Sequence, residues 1–576
     1  MDKKQIQDAL EEIALLLDLK GENPFKVRAH TYAARTLATV DQDIADLAQS
    51  GELRKIKGIG EGIARKIEEM VATGRSTTLD KLRAEFPGTI FELFRIPGLG
   101  PKRIKALYEH LGISTLGELE YACRENRLVE LEGFGTTIQT KVLEGIDFVR
   151  RHAGRHLIHR ALAAAESLRN FLANHSKIRR AEIAGSLRRR MDTVKDIDLL
   201  ASCPHTARTQ AAEEFAHLPE VAEVTGSGET KTSVRLVSGI AADLRLVTDT
   251  EFPYALMHFT GSKDHNVAMR QRAIKRGLKL SEYGLFKGES LVKAKDETEI
   301  FNALGLSFIL PELREDRGEI GAAEAGDLPE LVTLEDIRGV LHVHSTYSDG
   351  ANSLTELADW CRARRYTYLG VCDHSASAAY AGGLTEDELV RQHEEIDSLN
   401  AKDEDFKIFK GIESDIRADG ALDYPDKVLA RFDFVVASIH SRLNMTQEEA
   451  TQRIIAAIRN PYTTIIGHLT GRLLLAREGY PLDMTAVLDA AAECGTVIEL
   501  NASPHRLDID WRHLRSARDR GIKIAINPDA HALETMEDIR YGIGTARKGW
   551  LRASDVLNTF TTTDFEAFLA RRHARR

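Results

Sequence analysis

Two groups of residues in this chain have the types and spacing for phosphate chemistry. In the C-terminal half, His342-Val343-His344 puts two imidazoles on one face of a strand end, because alternate strand residues point the same way. Asp349, Asp373-His374, Glu413, His440, His468 and Asp529-Ala530-His531 follow, most of them directly after a short apolar run. Any one of these histidines alone reads as a satisfied loop or core residue. Six of them, with several acids at equivalent strand ends, ask for a common cause, and a cluster of two or three metal ions is the simplest. Nitrogen and carboxylate donors together suit Zn²⁺, Mn²⁺ or Fe²⁺. Closely spaced cations of this kind activate a bound water and neutralise phosphate and leaving oxygen, which is the chemistry of phosphoester hydrolysis. Arg506 is a further candidate as a phosphate clamp, against the commoner reading of a surface arginine.

In the N-terminal half, Asp196-Ile197-Asp198 places two carboxylates on one face of a strand, and Asp243 sits in a later strand-like run that can lie beside it. Three clustered anions repel one another unless cations fill the site. Hard oxygen donors favour Mg²⁺ or Mn²⁺, and two such ions serve in-line attack of a hydroxyl on a phosphate. Upstream, Gly185 lets backbone approach a phosphate, Ser186 can donate to it and Arg189 can hold it with its fork of donors. An Asp-x-Asp pair alone is weak; the Gly-Ser before it makes the signal specific.

These side chains need particular elements to position them. From about Ile183, short apolar runs with embedded acids (Ile197 to Leu200, Ala241 to Val247) read as strands of an α+β domain. After residue 329, runs at Val340 to Val343, Tyr368 to Val371, Phe434 to Ser438, Thr464 to Ile466, Val497 to Leu500 and Lys523 to Ile526 alternate with helical segments. That alternation implies βα units forming a parallel sheet or a barrel, whose loops converge at the C-terminal ends of the strands. Arg314 to Pro329, rich in Gly, Ala and Glu and without apolar periodicity, reads as the main linker. Residues 1 to 150 read as short helices broken by Lys57-Gly58-Ile59-Gly60, Pro97-Gly98-Leu99-Gly100 and Glu132-Gly133-Phe134-Gly135. At Gly58, Gly60, Gly98 and Gly100 such turns can direct backbone N–H groups and a helix N-terminus toward a phosphate.

The motifs carry resemblances. The His-x-His, Asp-His, central Glu, two separated His and final Asp-x-His, in that order over residues 336 to 576, resemble the PHP (polymerase and histidinol phosphatase) family. That resemblance makes His342, His344, Asp349, His374, Glu413, His440, His468, Asp529 and His531 the metal ligands. The Gly185-Ser186 and Asp196-x-Asp198 stretch resembles the nucleotidyltransferase palm of family X DNA polymerases, of the DNA polymerase beta kind. His258-Phe259-Thr260-Gly261-Ser262 resembles that family's Tyr-Phe-Thr-Gly-Ser. By the same resemblance Phe259 and Gly261 line the nucleotide sugar, Asn266 reaches the incoming base pair and Arg270 the template, while His258 departs from the family's Tyr and puts exclusion of ribonucleotides in question. The glycine hairpins look like helix-hairpin-helix motifs, and Lys66 occupies the place of a Schiff-base lysine in the family's lyase domain, with Arg65 beside it as a charge that favours the neutral amine. Gly62 replaces a family lysine.

A bacterial family X polymerase with a C-terminal PHP domain is therefore expected. Its parts are a helical lyase-like domain (1–85), a fingers-like helical domain (86–150), a palm (151–250), a thumb (251–315), a linker (316–335) and a PHP domain folded as a distorted β/α barrel (336–576). The implied function is filling of short DNA gaps in repair, with a 3′-5′ exonuclease in the PHP half and AP endonuclease, 3′-phosphatase or 5′-dRP lyase as related activities. Its cofactors would be Mg²⁺ or Mn²⁺ at the palm and a Mn²⁺, Zn²⁺ or Fe²⁺ cluster at the PHP site. Its partners would be gapped or primed DNA and dNTPs, with the protein a monomer. Two competitors are a small-molecule phosphatase in the PHP half and a non-catalytic DNA-end scaffold.

Composition agrees with this picture. The net charge of −10 averages over two basic stretches, residues 151–190 with ten Lys/Arg against two Asp/Glu and 263–295 with nine against three. With 43% hydrophobic and 29% charged residues, and no apolar run long enough to span a bilayer, the 576-residue chain reads as a multidomain cytoplasmic protein. Its five scattered cysteines read as reduced thiols.

Overall fold

The computed structural model describes all residues except 2, 39, 41, 43, 57, 125, 126, 129, 130, 132, 379, 380, 575 and 576, so Lys57 and Glu132 of the glycine motifs lie outside the described residues. The chain divides into two compact units, Met1–Ala153 and Gly154–Arg576. The first is helical and is organised by its glycines. Gly58, Gly98 and Gly133 all have φ between +80° and +103°, a region that side-chain-bearing residues avoid. The residue after each (Ile59, Leu99, Phe134) is buried. Its N–H donates three residues back, to Ile56, Ile96 and Leu131, at 3.0–3.1 Å. The second glycine then leads into a helix, Glu61–Thr73, Pro101–Leu111 or Thr136–His152. All three hairpins therefore share one construction.

The second unit begins with a five-stranded sheet. Its strands are β1 (Arg180–Ile183), β2 (Asp196–Ser202), β3 (Val221–Ser227), β4 (Lys231–Leu236) and β5 (Ala241–Val247), in the order β1-β2-β5-β4-β3. Only β2 and β5 run parallel, and their register sets Asp198 directly beside Asp243. Helices Phe252–Thr260 and Lys263–Lys275 follow, then a three-stranded antiparallel sheet, β6 (Lys279–Ser281), β7 (Gly284–Lys287) and β8 (Ser290–Leu291).

Seven parallel strands complete the unit: β9 (Gly339–Val343), β10 (Tyr368–Val371), β11 (Lys407–Asp415), β12 (Phe434–Ser438), β13 (Ile465–Ile466), β14 (Val497–Asn501) and β15 (Ile524–Asn527), paired in chain order. Val343 bridges Ala530 just past β15, so the sheet comes close to closing as a barrel. Its interior is filled by Leu341, Tyr368, Phe409, Phe434, Ile465 and Val497, mostly near the N-terminal ends of the strands, where Phe565 of the last helix stacks on Tyr368 at 5.2 Å. A plugged lower end leaves the polar residues to the C-terminal mouth.

The stretch Arg314 to Pro329, which lacks apolar periodicity, is nonetheless ordered against its surroundings and carries the helix Glu319–Ala325. Charge pairing embeds it. Arg314 is fully buried and donates to Glu297 at 2.6 Å, and Glu319 is fully buried against His265 at 2.7 Å. All five cysteines are free thiols, and among the described residues no helix is long and apolar enough to cross a membrane.

Candidate active sites

At the barrel mouth the nine expected ligands converge. Glu413 is the centre: its carboxylate oxygens lie 3.0 Å from His374 Nδ1, 3.0 Å from His468 Nε2 and 3.3 Å from Nε2 of both His342 and His440. It sits within β11 rather than after it. Side chains of β11 alternate, so Phe409 fills the barrel floor and Glu413, four residues on, rises on the same side at the mouth. Asp529 Oδ1 is 3.2 Å from His344 and 3.5 Å from His342, and Asp349 Oδ1 is 3.5–3.7 Å from His531, His374 and His344. Three overlapping groups have the spacing to share a cation each: His344/Asp349/His374/His531, His342/His344/Asp529 and His374/Glu413/His440.

Outer carboxylates aim the imidazoles. Glu499, fully buried, accepts from His342 Nδ1 at 2.6 Å, from the His468 backbone N–H, and from the side chains of Asn501 and Asn527. Accepting from Nδ1, Glu499 places a proton of His342 there and leaves the ring's Nε2 facing inward. Asp415 does the same for His440 at 2.5 Å, and the Asp529 carbonyl for His531 at 3.0 Å. Neither Glu499 nor Asp415 was expected: Glu499 looks like an isolated acid in an apolar strand, and Asp415 stands two residues after Glu413 in β11. His342 Nε2, His344 Nδ1 and Glu413 Oε2 are buried without a hydrogen-bond partner. Such atoms are costly unless something fills the space between them. Despite burial, the surrounding imidazoles hold Glu413 and Asp529 well below the usual carboxylate range, while Glu413 and Asp415 push His440 up to about 10. Ionised acids, aimed nitrogens and orphaned buried atoms fit divalent cations. Three of the nine, His342, His468 and Asp529, have left-handed backbone (φ 56°, 25° and 53°). Arg506 Nε lies 3.8 Å from Asp529, at the rim of the mouth.

At the palm, Asp196, Asp198 and Asp243 line one end of the β2/β5 pair. Burial, reinforced by Asp196 and Asp243, pushes the Asp198 carboxyl up to about 6. Asp243 is held by Lys231 at 2.7 Å and accepts from Ser233 at 2.5 Å, two partners on β4 that the sequence did not single out. Gly185, with φ +62°, lies so close to Asp198 that a Cβ there would sit 2.0 Å from Oδ2. It makes room for the carboxylate as well as for any phosphate. Arg189 donates from Nε to Glu315 at 2.9 Å and from Nη1 to the Thr260 carbonyl at 2.5 Å. Beyond it, Asn266 donates to the His258 carbonyl at 2.7 Å, Arg270 Nη2 approaches His258 Nδ1 at 3.2 Å, and Arg245 stacks on Phe259 at 4.2 Å.

In the first unit, Lys66 Nζ lies 2.7 Å from His30 Nε2. His30 Nδ1 donates to the Lys26 carbonyl at 2.8 Å, which leaves Nε2 as the acceptor. Burial, then the charge of Lys26, lowers Lys66. Arg65 does not take that part: it turns outward to pair with Glu61 at 2.6 Å.

The chain matches four families over separate segments: a helix-hairpin-helix domain (residues 1–76), a SAM-like helix-hairpin-helix tandem (90–145), the DNA polymerase beta thumb (255–315) and the PHP domain (341–503). The tandem spans the third glycine hairpin as well as the second. A DNA polymerase/3′-5′ exonuclease PolX of Bacillus subtilis is 41% identical over 575 residues, covering 99% of this chain and 100% of the relative. A probable phosphatase of Caldanaerobacter subterraneus is 32% identical over 158 residues, 24% of this chain and 60% of that protein. A solved ternary P/T complex of Leishmania infantum polymerase beta is 24% identical, covering 39% of this chain and 98% of that one with a TM-score of 0.26.

Proposed function

The chain belongs to the family of PolX DNA polymerase/3′-5′ exonucleases, and on that premise we propose that it fills short gaps in DNA during repair and trims 3′ ends with its PHP half, working in the cytoplasm as a monomer. The observation that carries this reading is the pairing, within one compact unit, of the Asp198–Asp243 register with the nine-donor barrel mouth.

In the polymerase half, Asp196, Asp198 and Asp243 would hold Mg²⁺ or Mn²⁺, and the nine barrel residues a Mn²⁺, Zn²⁺ or Fe²⁺ cluster. These cations supply charge neutralisation at the phosphate and Lewis acidity for the attacking oxygen. The protein's own groups do the rest. Gly185, Ser186 and Arg189 receive the nucleotide phosphates, Phe259 and Gly261 lie along its sugar, Asn266 reaches the base pair and Arg270 the template. Lys231 neutralises Asp243 until substrate arrives. At the barrel, Glu499 and Asp415 keep the imidazole lone pairs aimed inward, and Arg506 waits at the rim for a phosphate. Gly58, Gly60, Gly98, Gly100 and the matching Gly133 and Gly135 grip the DNA backbone without reading bases. Lys66 is the lyase nucleophile: His30 accepts the proton that its ammonium must lose before the amine attacks an abasic sugar. We assign these parts to the domains 1–85, 86–150, 151–250, 251–315 and 336–576, joined through 316–335.

Gapped DNA with Mg²⁺ or Mn²⁺, with and without dNTPs, separates extension from degradation in one readout. Asp198→Ala should abolish extension and spare degradation, and His344→Ala with Asp529→Ala should do the reverse. Extension that survives Asp198→Ala, or degradation that survives the barrel pair, would refute the corresponding assignment. The similarity to probable phosphatases favours one second reading, hydrolysis of small phosphomonoesters by the barrel, which would then run on p-nitrophenyl phosphate as fast as on primed DNA.

A further inference from the structure

Lys548 is a lysine with no solvent exposure and no part in either site described above. It ends the helix Ile539–Lys548, which packs outside the barrel. Its ammonium donates to the backbone carbonyl of Arg189 at 3.1 Å and to Glu315 Oε1. The same Glu315 oxygen accepts from Arg189 Nε at 2.9 Å. One carboxylate is thus shared between a cation of the barrel half and the arginine expected to hold the nucleotide triphosphate.

A second contact joins the same two elements. Arg190, with left-handed backbone (φ 56°), lays its stem over Gly544 of that helix, where an added Cβ would meet its carbons at 3.4–3.6 Å. Two residues further on, Asp192 takes an ion pair at 2.9 Å from Arg472 in the loop after β13. The segment leaving the Gly185-Ser186 turn is therefore braced on the barrel half at three successive points.

Charge counting shows what the lysine does. With Lys548 present, Glu315 divides its negative charge between two cations, and Arg189 keeps most of its field for a polyanion in front of it. Without Lys548, Glu315 would neutralise Arg189 alone, and the carbonyl of Arg189 would lose its donor. Arg189 would then meet a polyanion with a weaker charge and a looser backbone.

We propose that Lys548 is a positioning residue for polymerisation: through Glu315 and the Arg189 carbonyl it sets the charge and place of the arginine that receives the incoming triphosphate. The barrel half thereby acts as a working part of the nucleotide site. This rests on the polymerase reading given above.

The test uses the full-length protein with Lys548→Met on a one-nucleotide gapped duplex. The expected result is a rise of about tenfold in KM for dNTP, with kcat changed less than threefold and with dNTP-free 3′-5′ degradation unchanged. Inorganic triphosphate should weaken as a competitive inhibitor by a similar factor, because the effect falls on phosphate recognition. Lys548→Met with Glu315→Gln should recover part of the loss, since Arg189 is then released from an uncompensated carboxylate; a merely structural contact would show additive damage. If Lys548→Met fails to fold, Lys548→Gln is measured in its place. A KM within twofold of wild type, or a parallel fall of extension and degradation, overturns the proposal. If the wild-type protein itself does not extend the primer, the polymerase reading fails instead.

Discussion

Gly185→Ala tests whether the palm carboxylates do the chemistry assigned to them. The new methyl would stand 2.0 Å from Asp198 Oδ2 and 2.9 Å from its Cγ. Relief to an ordinary 3.4 Å contact moves the carboxylate by about 1.4 Å, since the backbone of β2 is fixed by pairing on both sides with β1 and β5. The left-handed backbone at position 185 adds roughly 1 kcal/mol of strain in the folded protein. A misplacement of about 1 Å in a group that positions reacting atoms costs on the order of 100-fold, or about 2.7 kcal/mol in the barrier. Single-turnover extension of a gapped duplex at saturating dNTP should therefore fall roughly 100-fold, while the melting temperature drops by only a few degrees and degradation without dNTP persists. Extension within threefold of wild type would refute the argument, because the methyl could not be housed without moving Asp198.

Three other outcomes follow from the geometry. Glu499→Gln should cut 3′-5′ degradation by about 10- to 100-fold and lower the bound metal per protein, with extension untouched; full metal content and full activity would remove Glu499 from the site. In chelator-treated protein, the raised Asp198 carboxyl means the folded state holds a proton that the unfolded chain releases near pH 4. Stability from this group is present below that pH and is lost as pH rises through about 6, by at most about 3 kcal/mol, so urea midpoints should fall over that window, and an unchanged slope in Asp198→Asn would count against it. Arg472→Ala leaves the buried Asp192 without its cation and removes donors to Asp510 and the Arg506 carbonyl, so the second unit should lose about 3–5 kcal/mol by denaturant unfolding; a loss below 1 kcal/mol would show that the pair is not holding the palm to the barrel loops.

Much of this protein was legible in its sequence because its chemistry recurs with the period of the fold. His342 and His344 announce a strand end by their spacing, and repetition along five further apolar runs gives the parallel strands and the end at which their polar residues gather. Asp196 and Asp198 declare a shared face in the same way. Partners that meet across the chain were not legible. Glu499 is one acid in a buried strand until His342, 157 residues earlier, is brought to it. Lys231 and His30 take meaning only from the register of β4 on β5 and from the approach of helix Glu61–Thr73. The segment Arg314 to Pro329 read as a tether because burial there is achieved by ion pairs, which leave no apolar rhythm.

The left-handed backbone at His342, His468 and Asp529 makes these positions answer to two kinds of selection at once. In a saturation library screened only for folded protein, β-branched residues should be depleted there, because the backbone itself rejects them. At His344 and Glu413, which lack that constraint, the same residues should be lost only when the screen asks for hydrolysis. Steric and chemical conservation, usually inseparable at a ligand, become separately countable in one barrel.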